Sequence, residues 1–96
     1  MLILITYDVN TEDDAGKGRL RRVAKQCVNY GVRVQNSVFE CMVDGAQCRM
    51  LKDKLQNIID VKKDSIRIYY LNEKQKQKIE CIGVKKGISM DETLMF

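Results

Sequence analysis

Short apolar runs of strand length, separated by two amphipathic stripes, predict an α+β fold with two helices laid on one face of an antiparallel sheet. Three observations carry this. Leu2 to Tyr7 is a run of branched apolar residues too short for most helices. Leu20, Val23, Ala24, Cys27 and Val28 recur at helical spacing, as do Cys48, Leu51, Leu55 and Ile58. Between and after these stripes the chain turns extended again, with alternating or β-branched residues.

Each element has a local reason. The first strand, Leu2 to Tyr7, is apolar on both faces, Ile3, Ile5 and Tyr7 alternating with Leu2, Leu4 and Thr6. Asn10 to Gly18 reads as a polar loop with two glycines, so the first helix is expected from Arg19, ending at Gly31. Val32 to Val43 reads as one long strand, bulged or bent at Asn36. Asp44 and Gln47 have capping-box spacing and open the second helix. Ser65 to Leu71 is a third strand, "NEKQKQK" a basic loop, and "IECIGV" a fourth strand. Connection rules turn the order β-α-β-β-α-β into a ferredoxin-like sandwich with a four-stranded sheet.

At 96 residues the chain is a single domain, with a core of about residues 1–84 and a tail of about 85–96. The second apolar face of the first strand needs a cover, and a second copy of the chain is the simplest one, which predicts a homodimer. The tail ends "TLMF" and is expected to add an extension strand to the neighbouring subunit or to its own edge.

Composition excludes several chemistries. The chain has no histidine, which removes the usual general base, the histidine-activated nucleophiles and histidine metal sites. Cys27, Cys41, Cys48 and Cys81 lack C-x-x-C spacing and fit apolar positions, so they read as reduced core residues of a cytoplasmic protein. The apolar start is broken by Asp8, too early for a signal peptide or membrane span. Net charge is +4, and a basic stripe of Lys17, Arg19, Arg21, Arg22 and Lys25 follows Glu12-Asp13-Asp14. Such a stripe is either a solvated helix face or a track for phosphates.

Asp8 ends the first strand and has two readings: an Asx-type cap on the next loop, or a ligand for a divalent ion. One chain supplies one clear carboxylate there, and a two-fold dimer across the open sheet face would bring a second. A metal so held could orient a phosphodiester without any histidine. Arg19 and Arg33 are candidates for phosphate contact, since guanidinium offers a fork matched to its oxygens.

Tyr7-Asp8 at the end of "LITYDV", then "GRLRRVAKQCVNYGVRVQNSVFE", then "DSIRIYYL", together resemble the small CRISPR-associated Cas-two family, in the form found in type I-C systems. The resemblance implies a homodimeric ferredoxin-like endonuclease of CRISPR spacer acquisition and antiviral defence. It would depend on Mg²⁺, with Mn²⁺ the alternative ion, and cut single-stranded RNA or double-stranded DNA. It assigns the metal to Asp8 and catalysis to Asp8, Tyr7 and Arg33. Nucleic-acid contact falls to Lys17, Arg19, Arg22, Lys25 and Arg33, with Ser37 and Phe39 supporting the site. For Tyr7 and Phe39 core packing is the competing role, and for Arg33 an exposed strand face. The resemblance also implies a second use: a non-catalytic dimer that binds duplex DNA and bridges the Cas-one integrase.

Overall fold

The computed structural model describes residues 1–71 and 78–84. The elements run β1 Leu2–Asp8, α1 Asp14–Val28, β2 Gly31–Gln35, β3 Val38–Met42, α2 Gly45–Ile58, β4 Ser65–Leu71 and β5 Lys78–Gly83. They form the expected α+β ferredoxin-like sandwich, with an antiparallel sheet of order β2-β3-β1-β4-β5. Most of the basic loop and the whole of the tail, on which the extension strand was expected, lie outside the described residues.

Three expectations need correction. The stretch Val32 to Val43 is not one bent strand but an antiparallel hairpin, turning at Asn36-Ser37 with Gln35 opposite Val38. The turn holds Ser37 at φ 66°, a left-handed conformation usually given to glycine, and the bulge falls between Arg33 and Gln35. The hairpin supplies the two central strands of the β-α-β-β-α-β order, so the last strand is a fifth, not a fourth. Helix α1 starts at Asp14 instead of Arg19: the Asp13 carboxylate caps it by accepting the Gly16 N–H at 2.8 Å. The absent side chain of Gly16 lets that first turn press on the Asn10 carbonyl, a position no Cβ could share. Helix α2 begins with the expected capping box, Asp44 and Gln47 each accepting the other's backbone N–H.

Period-two alternation sorts the sheet cleanly into two faces. Ile3, Ile5, Tyr7, Phe39, Cys41, Ile66 and Ile68 face the helices and are buried with Val23, Cys27, Leu51 and Leu55. Leu2, Leu4 and Thr6 on the opposite face are only half-buried. There Met42 keeps 70% and Val32 68% of their surface exposed. Cys27, Cys41 and Cys48 are core thiols as expected, but Cys81 is exposed, because its register opposite Arg67 places it on the open face. Burial pushes the Cys27 thiol up to about 12 and Cys41 to about 11, so neither is a thiolate at neutral pH. Among the described residues no helix is long and apolar enough to cross a membrane.

At the far end of β5, Gly83 sits at φ 93° against the Asp64 carbonyl, which also accepts the Val84 N–H at 2.9 Å. A side chain there meets both a left-handed backbone and that carbonyl. Gly83→Ala is expected to lower the unfolding free energy by about 1–3 kcal/mol, measured as a lower urea midpoint with an unchanged slope.

Candidate functional site

Strand geometry decides the site first. Tyr7 and Asp8 are neighbours in β1, so their side chains leave opposite faces of the sheet. Asp8 stands at the edge of the open face, paired across β1 and β4 with Ser65. It is exposed and lines an open cleft of about 240 Å³ with Thr6, Tyr7, Ser65 and Arg67. Thr6 and Arg67 form the next rung of that face. In the loop that follows, Asn10 Oδ1 accepts the Glu12 N–H at 2.9 Å.

Tyr7 points the other way, toward α1. It is buried, and its ring stacks on Phe39 with centroids 6.1 Å apart. Arg33, across the sheet edge from Phe39, lays its guanidinium over the Phe39 ring at 5.2 Å. Burial raises the Tyr7 hydroxyl above its ordinary value, while hydrogen bonding to Arg33 and Ser37 pulls the other way without cancelling it. Tyr7 is therefore a neutral hydrogen-bonding phenol at physiological pH. The Ser37 carbonyl accepts the Tyr7 N–H at 3.1 Å, which ties the hairpin turn to β1. Tyr7, Arg21, Arg33, Asn36 and Ser37 line a second hollow of about 430 Å³ between α1 and the hairpin.

The predicted site residues thus fall into two groups. Tyr7, Arg33, Ser37 and Phe39 meet on the helix side, and Asp8 stands apart from them on the open face. Lys17, Arg22 and Lys25 are exposed along α1, as is Arg21. Arg19 does not share their position. Its side chain is 11% exposed, and its Nε donates to Asp64 Oδ2 at 2.7 Å. Its Nη2 reaches Asp64 Oδ1 and the Asn10 carbonyl, each at 3.4 Å.

Asp64 is the residue the sequence reading missed. It is fully buried, yet it is ionised and satisfied: besides Arg19 it accepts the Asn10 N–H on Oδ1 and the Asp60 N–H on Oδ2, both at 2.9 Å. Burial pushes its carboxyl up, but the Arg19 guanidinium and the two amides outweigh burial and hold it below the usual carboxylate range. Ser65 and Arg67 were also missed. The available signal was the alternation in "DSIRIYYL", which puts Ser65 and Arg67 on one face once strand pairing is known.

Residues 1–79 match the family model described as CRISPR associated protein Cas2. A protein of Halalkalibacterium halodurans named CRISPR-associated endonuclease Cas2 is 55% identical over 96 residues, all of both chains. One from Chlorobaculum tepidum named CRISPR-associated endoribonuclease Cas2 is 53% identical over 95 residues, 99% of each. Among solved structures, Streptococcus pyogenes Cas2 at pH 6.5 aligns with a TM-score of 0.71 and 59% identity, covering 77% of this chain and 89% of that one.

Because the folded-state Asp64 value lies below the unfolded one, its stabilising contribution is fully present above about pH 4 and is lost as pH falls through the folded value. Asp64→Asn should therefore be less stable than the parent chain at pH 7. The gap should narrow as the solution is acidified below about pH 4, read from thermal midpoints across pH.

Proposed function

The chain belongs to the CRISPR-associated Cas2 family, and from that footing we propose that it is a metal-dependent endonuclease of CRISPR spacer acquisition and antiviral defence. It works in the cytoplasm as a homodimer, on single-stranded RNA or double-stranded DNA. The observation that carries the reading is Asp8, exposed at the end of the sheet face opposite the helices, beside Ser65 and Arg67, in a chain whose relatives are named endonuclease and endoribonuclease.

The donors around Asp8 suit a hard divalent ion such as Mg²⁺ or Mn²⁺. They are oxygens, the Asp8 carboxylate and the Thr6 and Ser65 hydroxyls, with no histidine in the chain. One protomer gives half a site: among the described residues no three acidic, cysteine or histidine side chains cluster as a metal group. A two-fold partner on this face, where Met42 and Val32 are exposed beside half-buried Leu2 and Leu4, would bring in the second Asp8. A divalent ion held there by Asp8 would supply Lewis-acid chemistry toward a phosphodiester.

The chain's own residues do the rest. Asp8 would hold the ion through its carboxylate oxygens, and Arg67 on the adjacent rung places a cation where phosphate negative charge must be met. Lys17, Arg22 and Lys25 hold the nucleic-acid backbone from the outer side of α1. Arg33 adds a cation at the hairpin edge, supported by Phe39, and the neutral Tyr7 hydroxyl orients it together with Ser37.

A second reading is favoured by the division of the site. The cations of α1 and Arg33 do not share a cleft with Asp8, so a duplex backbone can be held without it. In that reading the dimer is a DNA scaffold that bridges the Cas-one integrase.

Asp8→Ala should abolish metal-dependent cleavage of labelled RNA and DNA while duplex affinity is kept; full cleavage by this variant overturns the catalytic reading. Arg22→Ala and Lys25→Ala should each weaken duplex binding uniformly across sequences and reduce the slope of log affinity against log salt by about one. A titration of affinity across salt concentrations checks this.

A further inference from the structure

Arg19 looks in sequence like one more member of the basic stripe, yet its guanidinium is committed inward. Asp64 immediately precedes Ser65, which is paired with Asp8. Asn10 is two residues beyond Asp8, and Asp60 belongs to the turn leading into β4. Arg19 is on the second turn of α1. One buried carboxylate thus joins three separate stretches of chain, two of which carry the walls of the Asp8 cleft.

Resting on the reading above, we propose that Arg19 serves the reaction as a positioning residue acting through Asp64. The buried pair fixes the exit of β1 against the start of β4 and so holds Asp8 beside Ser65 in one geometry. Arg19 does not touch substrate in this account. Its fork matters more than its charge, because Nε and Nη2 engage both carboxylate oxygens while Nη2 also meets the Asn10 carbonyl. A cation that touched phosphate would instead contribute to salt-dependent binding.

The test compares Arg19→Gln, Asp64→Asn, the double variant and Arg19→Lys, each checked for folding by circular dichroism and assayed below its thermal midpoint. Three quantities are read: duplex affinity across salt, cleavage, and midpoint. Arg19→Gln and Asp64→Asn are each expected to lower cleavage about 10- to 100-fold. The double variant should lose no more than the worse single, and the salt slope should match that of the parent chain in all of them. Arg19→Lys keeps the charge and a single-point contact, so it folds even if the others do not. It should still cleave several-fold more slowly, with unchanged duplex affinity.

A salt slope reduced by about one in Arg19→Gln, with Asp64→Asn unaffected in slope and cleavage, overturns the inference. Full cleavage by Arg19→Lys does so as well. Asp8→Ala, run alongside, separates the two levels. If it cleaves fully, the nuclease reading fails; if it is inactive while the Arg19 and Asp64 variants behave as the parent, only the positioning role fails.

Discussion

The ion pair between Arg19 and Asp64 is the constraint on which the arrangement of this domain rests. A carboxylate removed from water needs every lone pair met, and removing one partner of a buried pair leaves the other charge without compensation. Here the needed donors come from the β1–α1 connection, from α1 itself and from the turn before β4. Satisfying Asp64 therefore obliges three distant stretches to meet at one point. The Asp64 backbone extends the junction to β5 by accepting the Val84 N–H. Asp8 stands beside this junction, paired with the residue that follows Asp64.

A second constraint is the strand's period of two. The side chains of neighbouring Tyr7 and Asp8 leave opposite faces: one joins the core against Phe39, and the other looks out from the open face. This gives the domain two chemically distinct surfaces. The helix side presents Arg33 and the cations of α1, suited to a polyanionic backbone. The open side presents apolar residues and Asp8, suited to a second copy of the chain and, through it, a shared ion. The proposed scaffolding role would then be separable from cleavage, because the cations that would hold a backbone do not share a cleft with Asp8.

Much of this was legible in the sequence, for physical reasons. Both helical stripes, the capping box of α2 and the alternation of β1 are local patterns, and the structure keeps them except at Val28, which ends α1 exposed. The hairpin was hidden because Asn36-Ser37 carries no glycine, although Ser37 adopts a glycine-like backbone, and the residues on either side continue an extended pattern. The start of α1 was hidden by Gly16 and Gly18, which read as loop residues until tertiary contact explains Gly16. Arg19 lies within a run of cations, and only the fold shows that one of them turns inward. Asp64 gave no signal at all, since an aspartate before a strand ordinarily ends a turn in water.

Two copies of this chain are proposed to build one metal site from their paired Asp8 carboxylates. The most direct measurement is the stoichiometry of Mn²⁺ binding by calorimetric titration, with the mass of the species determined in the same buffer. One ion for every two chains in a dimer is expected, with binding lost in Asp8→Asn. One ion per monomeric chain, or binding that survives the substitution unchanged, contradicts it.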